Sequence, residues 1–337
     1  MAVNIAFWGK ALTTIPRIDK DEWKQLDIIS KWLVATRSSV LIMTSISAML
    51  GGLLAYASGS FSWLNFIIAF VGLNLAHASN NLINDWVDYK KGVDKNNYFR
   101  AQYGPQILEH GFVKTSTFSL YVFTTLFLAL IAGLFLVLTG PQTVLLLAGS
   151  GLFFLLFYTW PLKYIGLGEP TVVVVWGPLM IGGTYFVSGD FTWSWEIAWL
   201  AVIYAMGPTS VIFGKHIDKL KEDRKKKIFT LPVILGETIS RYTVLAVWIL
   251  QYAAFTWMVF KGNLTYPVLI IYLALPYFFK KASPFLKKRP DECPDNYEKE
   301  AWPLYFVRYA FEYNKRFSIL FLLGIILHVI AVKTGLL

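Results

Sequence analysis

A single cysteine, Cys293, occurs in 337 residues, which excludes a disulfide within the chain and any cluster of thiolate metal ligands. Charge is nearly as scarce: Asp, Glu, Lys and Arg make up 15% of the chain, against 56% hydrophobic residues. With a mean hydropathy of +0.51, too few polar side chains remain to clothe an ordinary soluble surface. The first thirty residues contain no uninterrupted apolar run followed by a small-residue cleavage site, so no signal peptide is expected. The long run "STFSLYVFTTLFLALIAGLFLVLTG" lacks the every-second-residue polarity of a transmembrane barrel strand. No nucleic-acid motif stands out beyond basic loops, and the net charge of +10 reads as membrane orientation and contact with anionic lipid.

What is present is a series of apolar windows, each near the roughly 20 residues needed to cross the hydrocarbon core. Nine are read, at about 38–57, 62–83, 117–139, 142–162, 170–188, 193–213, 242–260, 264–279 and 317–335. The fold class predicted is therefore all-α, a polytopic membrane bundle of nine helices spanning residues 36–337. Residues 1–35 precede it as an amphipathic interfacial segment: "DEWKQLDIISKWLVATR" mixes charges with Trp23, Leu26, Ile28, Ile29, Trp32 and Leu33. Once the loops are assigned, 29 of the 31 basic residues fall on one side, leaving Lys261 and Lys333 opposite. By the positive-inside rule that side, with the amino terminus, is cytoplasmic, and the protein is expected in the cell membrane.

The acids cluster on the same side. In "NDWVDYKKGVD", residues 84–94, Asp85, Asp88 and Asp94 follow the second apolar window, and Asn74, His77, Asn81, Asn84, Asp85 and Asp88 share one helical face. A polar stripe at membrane depth is costly and should face a hydrated cavity. Gly92 permits a turn that brings Asp94 back toward the other two acids. Such carboxylates and amide carbonyls are hard oxygen ligands, suited to Mg²⁺ and not to zinc; a solvated helix end with lysine partners is the plainer alternative. A second cluster, "GKHIDKLKEDRKKKIFTLP" at 214–232, supplies Asp218, Glu222 and Asp223 beside many lysines. Two acidic clusters among cations suit metal ions gripping a diphosphate, with Arg37 and lysines neutralising the remaining charge.

These features resemble the UbiA superfamily of intramembrane prenyltransferases, whose pattern is nine helices with acidic motifs after helices 2 and 6. The likeness runs from about Arg37 to the carboxyl terminus. "NDWVDYKKGVD" is similar to the form found in the branch that prenylates 1,4-dihydroxy-2-naphthoate for menaquinone, where other quinone-pathway members carry Asp at the place of Gly92. "YGPQILEHGFV" and "YTWPLKYIGLGEPTVVVVWGPLMIGGTYFV" also look like that branch. One departure stands out: the branch has an Asn-Asn-x-Arg-Asp run before its second acidic pair, whereas this chain has Lys215 and His216 for the asparagines. Aligning through "TLPVILG" pairs Asp223 with the family's second Asp and leaves Lys219 where the first is expected, so Asp218 serves only with a shifted geometry.

The resemblance implies a transferase that alkylates an aromatic acceptor with a polyprenyl group from its diphosphate. It implies Mg²⁺ on Asp85, Asp88, Asp94, Asp218, Glu222 and Asp223, with Asp85, Asp88, Asp218, Asp223 and Tyr158 as the catalytic set. Substrate-binding candidates are Arg37, Asn81, Asn84, Lys90, Lys91, Arg100, Glu169, Tyr185, Lys215 and Lys219. The faces of Tyr158, Trp160 and Tyr185 would stabilise an allylic cation, although packing or an interfacial belt explains each as well. Glu169 would position the acceptor hydroxyl or simply begin a helix; His77 and His216 are open between structural and acceptor-binding roles. The expected partners are the polyprenyl diphosphate, the acceptor and the bilayer, with no obligate protein partner evident. A terpene cyclase with the same diphosphate chemistry is the alternative within the superfamily. A transporter is the alternative outside it, and would spread its charges through membrane depth.

Overall fold

The computed structural model describes residues 3–93, 95 and 104–335, so Asp94 and Arg100 lie outside the described residues. Helix accounts for 77% of the structure and no strand occurs among the described residues, as an all-α membrane bundle requires.

Three short helices open the chain, each begun by a side chain that accepts otherwise unpaired backbone N–H groups. Asn4 accepts from Phe7 N at the start of α1 (Ile5–Thr13). Asp19 and Glu22 form a reciprocal box at α2 (Lys20–Gln25). Asp27 accepts from Ile29 N and Ser30 N at α3 (Ile28–Ala35), and the Trp8 indole donates to the same carboxylate at 3.2 Å, tying α1 to α3. Trp23, Val34 and Ala35 then pack with Leu82, Ile107 and Phe118 against one end of the bundle.

Among the described residues, eight helices are long and apolar enough to cross a membrane: α4 (Ser38–Ser58), α5 (Trp63–Lys90), α6 (Thr115–Thr139), α8 (Gly168–Ser188), α9 (Trp195–Asp218), α12 (Glu237–Phe260), α13 (Tyr266–Leu286) and α14 (Phe306–Thr334). The ninth expected span is represented by α7 (Thr143–Phe157), which has only 15 residues, about 22 Å of helix against a core near 30 Å. Its expected end at residue 162 is cut short because "YTWP" turns the chain there. Two small helices, α10 (Leu220–Lys225) and α11 (Leu231–Leu235), follow α9.

The bundle is unequal. In the most apolar window of α4, α8 and α9, 61% is buried, against 17% in α6. The main core lies among α4, α8, α9, α12, α13 and α14, where Tyr204, Trp248, Tyr313, Phe317 and Phe321 are fully buried. Helices without a hydrophobic drive between them associate through small residues and close contact. A Cβ on Gly51 of α4 would stand 2.4 Å from the Ile181 carbonyl oxygen of α8, and one on Gly214 of α9 would stand 2.8 Å from the Phe306 backbone of α14.

Breaks inside spans are satisfied locally. Pro208 in α9 has no N–H for the Tyr204 carbonyl; the Gln251 amide of α12 donates to that oxygen at 3.1 Å. In α8 the chain leaves helical geometry at Gly177 (φ −89°, ψ −105°) just before Pro178 and continues through a wide π-type stretch. Trp176, immediately before this kink, meets the His77 ring edge to face with centroids 5.9 Å apart.

Candidate active site

The thinly packed side of the bundle holds an open cavity of about 1100 Å³ lined mainly by α5, α6, α7, α8 and α9, with residues of α4 and α14. Along α5 its lining runs from Ile68 to Asn84, about 24 Å of helix. Most of the wall is apolar. Around Gly149 and Gly151 of α7, which line it, a Cβ would meet nothing within 4 Å. Polar groups gather toward one end, where Arg37, Asn81, Asn84, Tyr158, Lys163, Lys215 and His216 line the space, while His77 lies deeper.

The first acidic motif stands at that end because α5 runs about two turns beyond its apolar part. Asp85 and Asp88, three residues apart and both buried, present their carboxylates on one face. Arg37 places Nη2 3.1 Å from Asp85 Oδ1 and donates to the Asn81 carbonyl at 3.3 Å. It does so from a left-handed backbone (φ 53°) at the junction of α3 and α4. The Asn81 amide donates to the Thr36 carbonyl at 2.9 Å, fixing the same junction to α5. Lys163 bridges Asp88, at 3.3 and 3.4 Å to its two oxygens, and Asn84 Oδ1 at 3.4 Å.

Gly92 takes a left-handed φ of +66°; Asp94, which a turn there is expected to bring back, lies outside the described residues. Lys91 stacks over Trp160 and Tyr164, 4.6 and 4.7 Å from the ring centroids; burial lowers its pKa, against an opposing pull from Asp88. Lys90 turns the other way, over Trp86 at 4.3 Å. The donors offered at this end are carboxylate and amide oxygens, the set Mg²⁺ takes when it also binds substrate phosphates. Each carboxylate has about four lone-pair sites, so an ion pair with Arg37 or Lys163 leaves capacity for a metal.

The second acidic stretch is arranged differently. Asp218, buried at the end of α9, accepts from Phe306 N at 2.9 Å and Val307 N at 3.0 Å, and pairs with Arg289 Nε at 3.2 Å. It therefore begins α14 and does not line the cavity. Asp223 is buried and pairs with Lys219, one turn back, at 3.1 Å. Glu222 is half-buried beside it. Among the described residues, no three His, Cys, Asp or Glu side chains come together as a metal-holding group. The two stretches are joined by the Lys226 ammonium, which donates to the Val93 carbonyl just past α5.

Other expected residues are divided. Glu169 and His216 meet as a buried pair, Oε1 to Nδ1 at 2.6 Å, and Glu169 also accepts from Leu231 N at 3.3 Å to begin α11. His77 is held by the Thr44 hydroxyl at 2.8 Å. Tyr158 faces the cavity, whereas Tyr185 packs against the main core and Trp160 is 53% exposed. Sequence reasoning missed Lys163 as a site residue. The available signal was a lone lysine among aromatics in "YTWPLKYIG". Trp176 was missed too, because nothing short of the kink at Gly177 shows which way it points.

The bundle thus holds a long apolar cavity that is polar and charged at one end. The profile of the UbiA prenyltransferase family matches residues 45–307, and the chain belongs to that family of membrane prenyltransferases. The 1,4-dihydroxy-2-naphthoate octaprenyltransferase of Escherichia coli is 26% identical over 65% of this chain and 72% of its own length. The UbiA prenyltransferase domain-containing protein 1 homolog of Drosophila melanogaster is 25% identical over 63% of this chain, which spans only 60% of that protein. The apo structure of a UbiA homolog from Aeropyrum pernix is similar in fold, with a TM-score of 0.65 at 19% identity, over 86% of this chain and 98% of that one.

Proposed function

We propose that this prenyltransferase transfers a polyprenyl group from its diphosphate to 1,4-dihydroxy-2-naphthoate or a related quinone precursor, with its polar end at the cytoplasmic face. The observation that carries the reading is the union of Asp85, Asp88, Asn84, Arg37 and Lys163 at the mouth of an apolar cavity about 24 Å long. A diphosphate fits the charged mouth and an isoprenoid tail fits the walls. The acceptor is supported by the quoted naphthoate-branch segments and by the E. coli relative.

Asp85 and Asp88 would hold Mg²⁺, which when bound supplies Lewis-acid stabilisation of the leaving diphosphate. Arg37 and Lys163 steady those carboxylates and bring positive charge to the phosphate oxygens. The apolar walls keep water from the allylic cation formed as the C–O bond breaks. Tyr158, on the wall beside Lys163, offers it an aromatic face, an attraction of about 2 kcal/mol when desolvated. The acceptor ring then attacks the cation and loses a proton, or carbon dioxide where a carboxylate occupies that carbon.

The test is product analysis by mass spectrometry. Membranes holding the protein receive Mg²⁺, labelled polyprenyl diphosphate and, in parallel, 1,4-dihydroxy-2-naphthoate, homogentisate and 4-hydroxybenzoate. The naphthoate is expected to yield the prenylated product, and Asp88→Ala to cut turnover by about 100-fold. Absence of diphosphate release with every acceptor would overturn the transferase reading; release with a cyclised hydrocarbon and no adduct would make it a cyclase.

A further inference from the structure

The two acidic stretches stand close together, joined by the Lys226–Val93 contact, with opposite chemistry. On α5 the carboxylates of Asp85 and Asp88 are set beside amide oxygens, the surroundings of a hard cation. On the α9–α10 side the acids are engaged otherwise: Asp218 is committed to the first N–H groups of α14 and to Arg289, and Asp223, paired with Lys219 as Asp88 is with Lys163, stands in a strongly basic stretch. Residues 214–232 hold seven basic residues against three acidic ones, a field that repels a divalent cation. Where the family resemblance places the first acid of the second pair, this chain has Lys219.

That exchange conserves charge. Two carboxylates around a divalent cation sum to zero, and so does Lys219 with Asp223. What changes is the way the anion is met: an ammonium offers three N–H donors, and Asp223 needs one of them. Lys219 is held largely out of solvent, with 13% of its side chain exposed. Lys215, one turn earlier on α9, lines the cavity itself. The Lys226 contact to Val93 keeps this cationic face close to the end of α5.

We propose that the α9–α10 face binds the donor's diphosphate directly through Lys215 and Lys219, with Asp223 as a positioning residue for Lys219, and that divalent metal is held on the α5 face alone. This rests on the polyprenyl diphosphate reading above.

The experiment uses the full chain in detergent, Mn²⁺ counted by electron paramagnetic resonance, and an unreactive geranylgeranyl thiolodiphosphate as probe. One manganese per chain is expected with the probe bound. Asp88→Asn should abolish it, whereas Asp223→Asn should leave the count unchanged and weaken the probe about tenfold, the effect of one charge-assisted hydrogen bond. Lys215→Met and Lys219→Met should weaken the probe similarly without changing the count, and Lys219→Arg, which keeps the charge, should retain binding. Two or more manganese ions in the wild type, a count that falls in Asp223→Asn, or undiminished probe binding by both methionine variants would overturn the inference. The wild-type count stands even should a variant fail to fold. A wild-type chain that binds no probe at all would instead overturn the functional reading beneath it.

Discussion

Arg37 occupies a left-handed backbone conformation that costs a side-chain-bearing residue about 1–2 kcal/mol. The geometry it gains is the guanidinium beside Asp85, and strain kept at a charged cluster is commonly tied to function. Lys163 plays the matching part for Asp88, and is the ion-pair partner most sharply open to test. Lys163→Met would leave Asp88 buried without that cation and remove a donor from the cavity mouth. The expected result is a 10- to 100-fold fall in kcat/KM for the diphosphate donor, at about tenfold per 1.4 kcal/mol, with partial recovery in Lys163→Arg. Steady-state kinetics with varied donor would check it, and unchanged kcat/KM would remove Lys163 from the site.

At the scale of elements, the site depends on where helices stop. α5 outruns its apolar stretch and so carries its acids past the apolar wall, while α7 stops early and lets "YTWPLK" turn Tyr158 and Lys163 back toward them. α14 starts eleven residues before its expected window because Asp218 satisfies its first N–H groups. Asp218→Ala should therefore act on stability: with Arg289 left beside an empty place, the expected loss is about 3–5 kcal/mol. A lower thermal midpoint in detergent and faster proteolysis between residues 287 and 305 would show it. A normal midpoint together with lost Mn²⁺ binding would make Asp218 a metal ligand instead. The apolar windows located the middles of the spans, since twenty apolar residues admit little else. They did not locate these ends, which hydrogen bonds from distant residues decide.

For the molecule as a whole, the division into a dense half and a thin half creates the cavity. Close approach at Gly51 and Gly214 draws α4, α8, α9 and α14 together, leaving α6 and α7 as a sparse wall. Gly149 lies on that wall with open space around its Cβ, nine residues and so about 14 Å of helix from Tyr158. Gly149→Phe should block the deeper part of the cavity. Long polyprenyl diphosphates should then be lost as donors while short ones remain, read from product chain lengths by mass spectrometry. An unaltered chain-length preference would show that the tail runs elsewhere.

Composition and the long apolar runs without every-second-residue polarity determined that the chain is an all-helical membrane protein, because a backbone in hydrocarbon must satisfy its hydrogen bonds internally and these runs do not suit a barrel. Local spacing determined which face of α5 is polar and that Asp85 and Asp88 share it, because helical neighbours three and four apart are fixed by the backbone. The surroundings of Lys163, Trp176 and Asp218 were decided only by tertiary structure. Their partners lie on other helices or depend on the kink at Gly177. An acid that grips a metal and an acid that caps a helix look alike in sequence; they differ only in what the rest of the chain brings within three ångströms of the carboxylate.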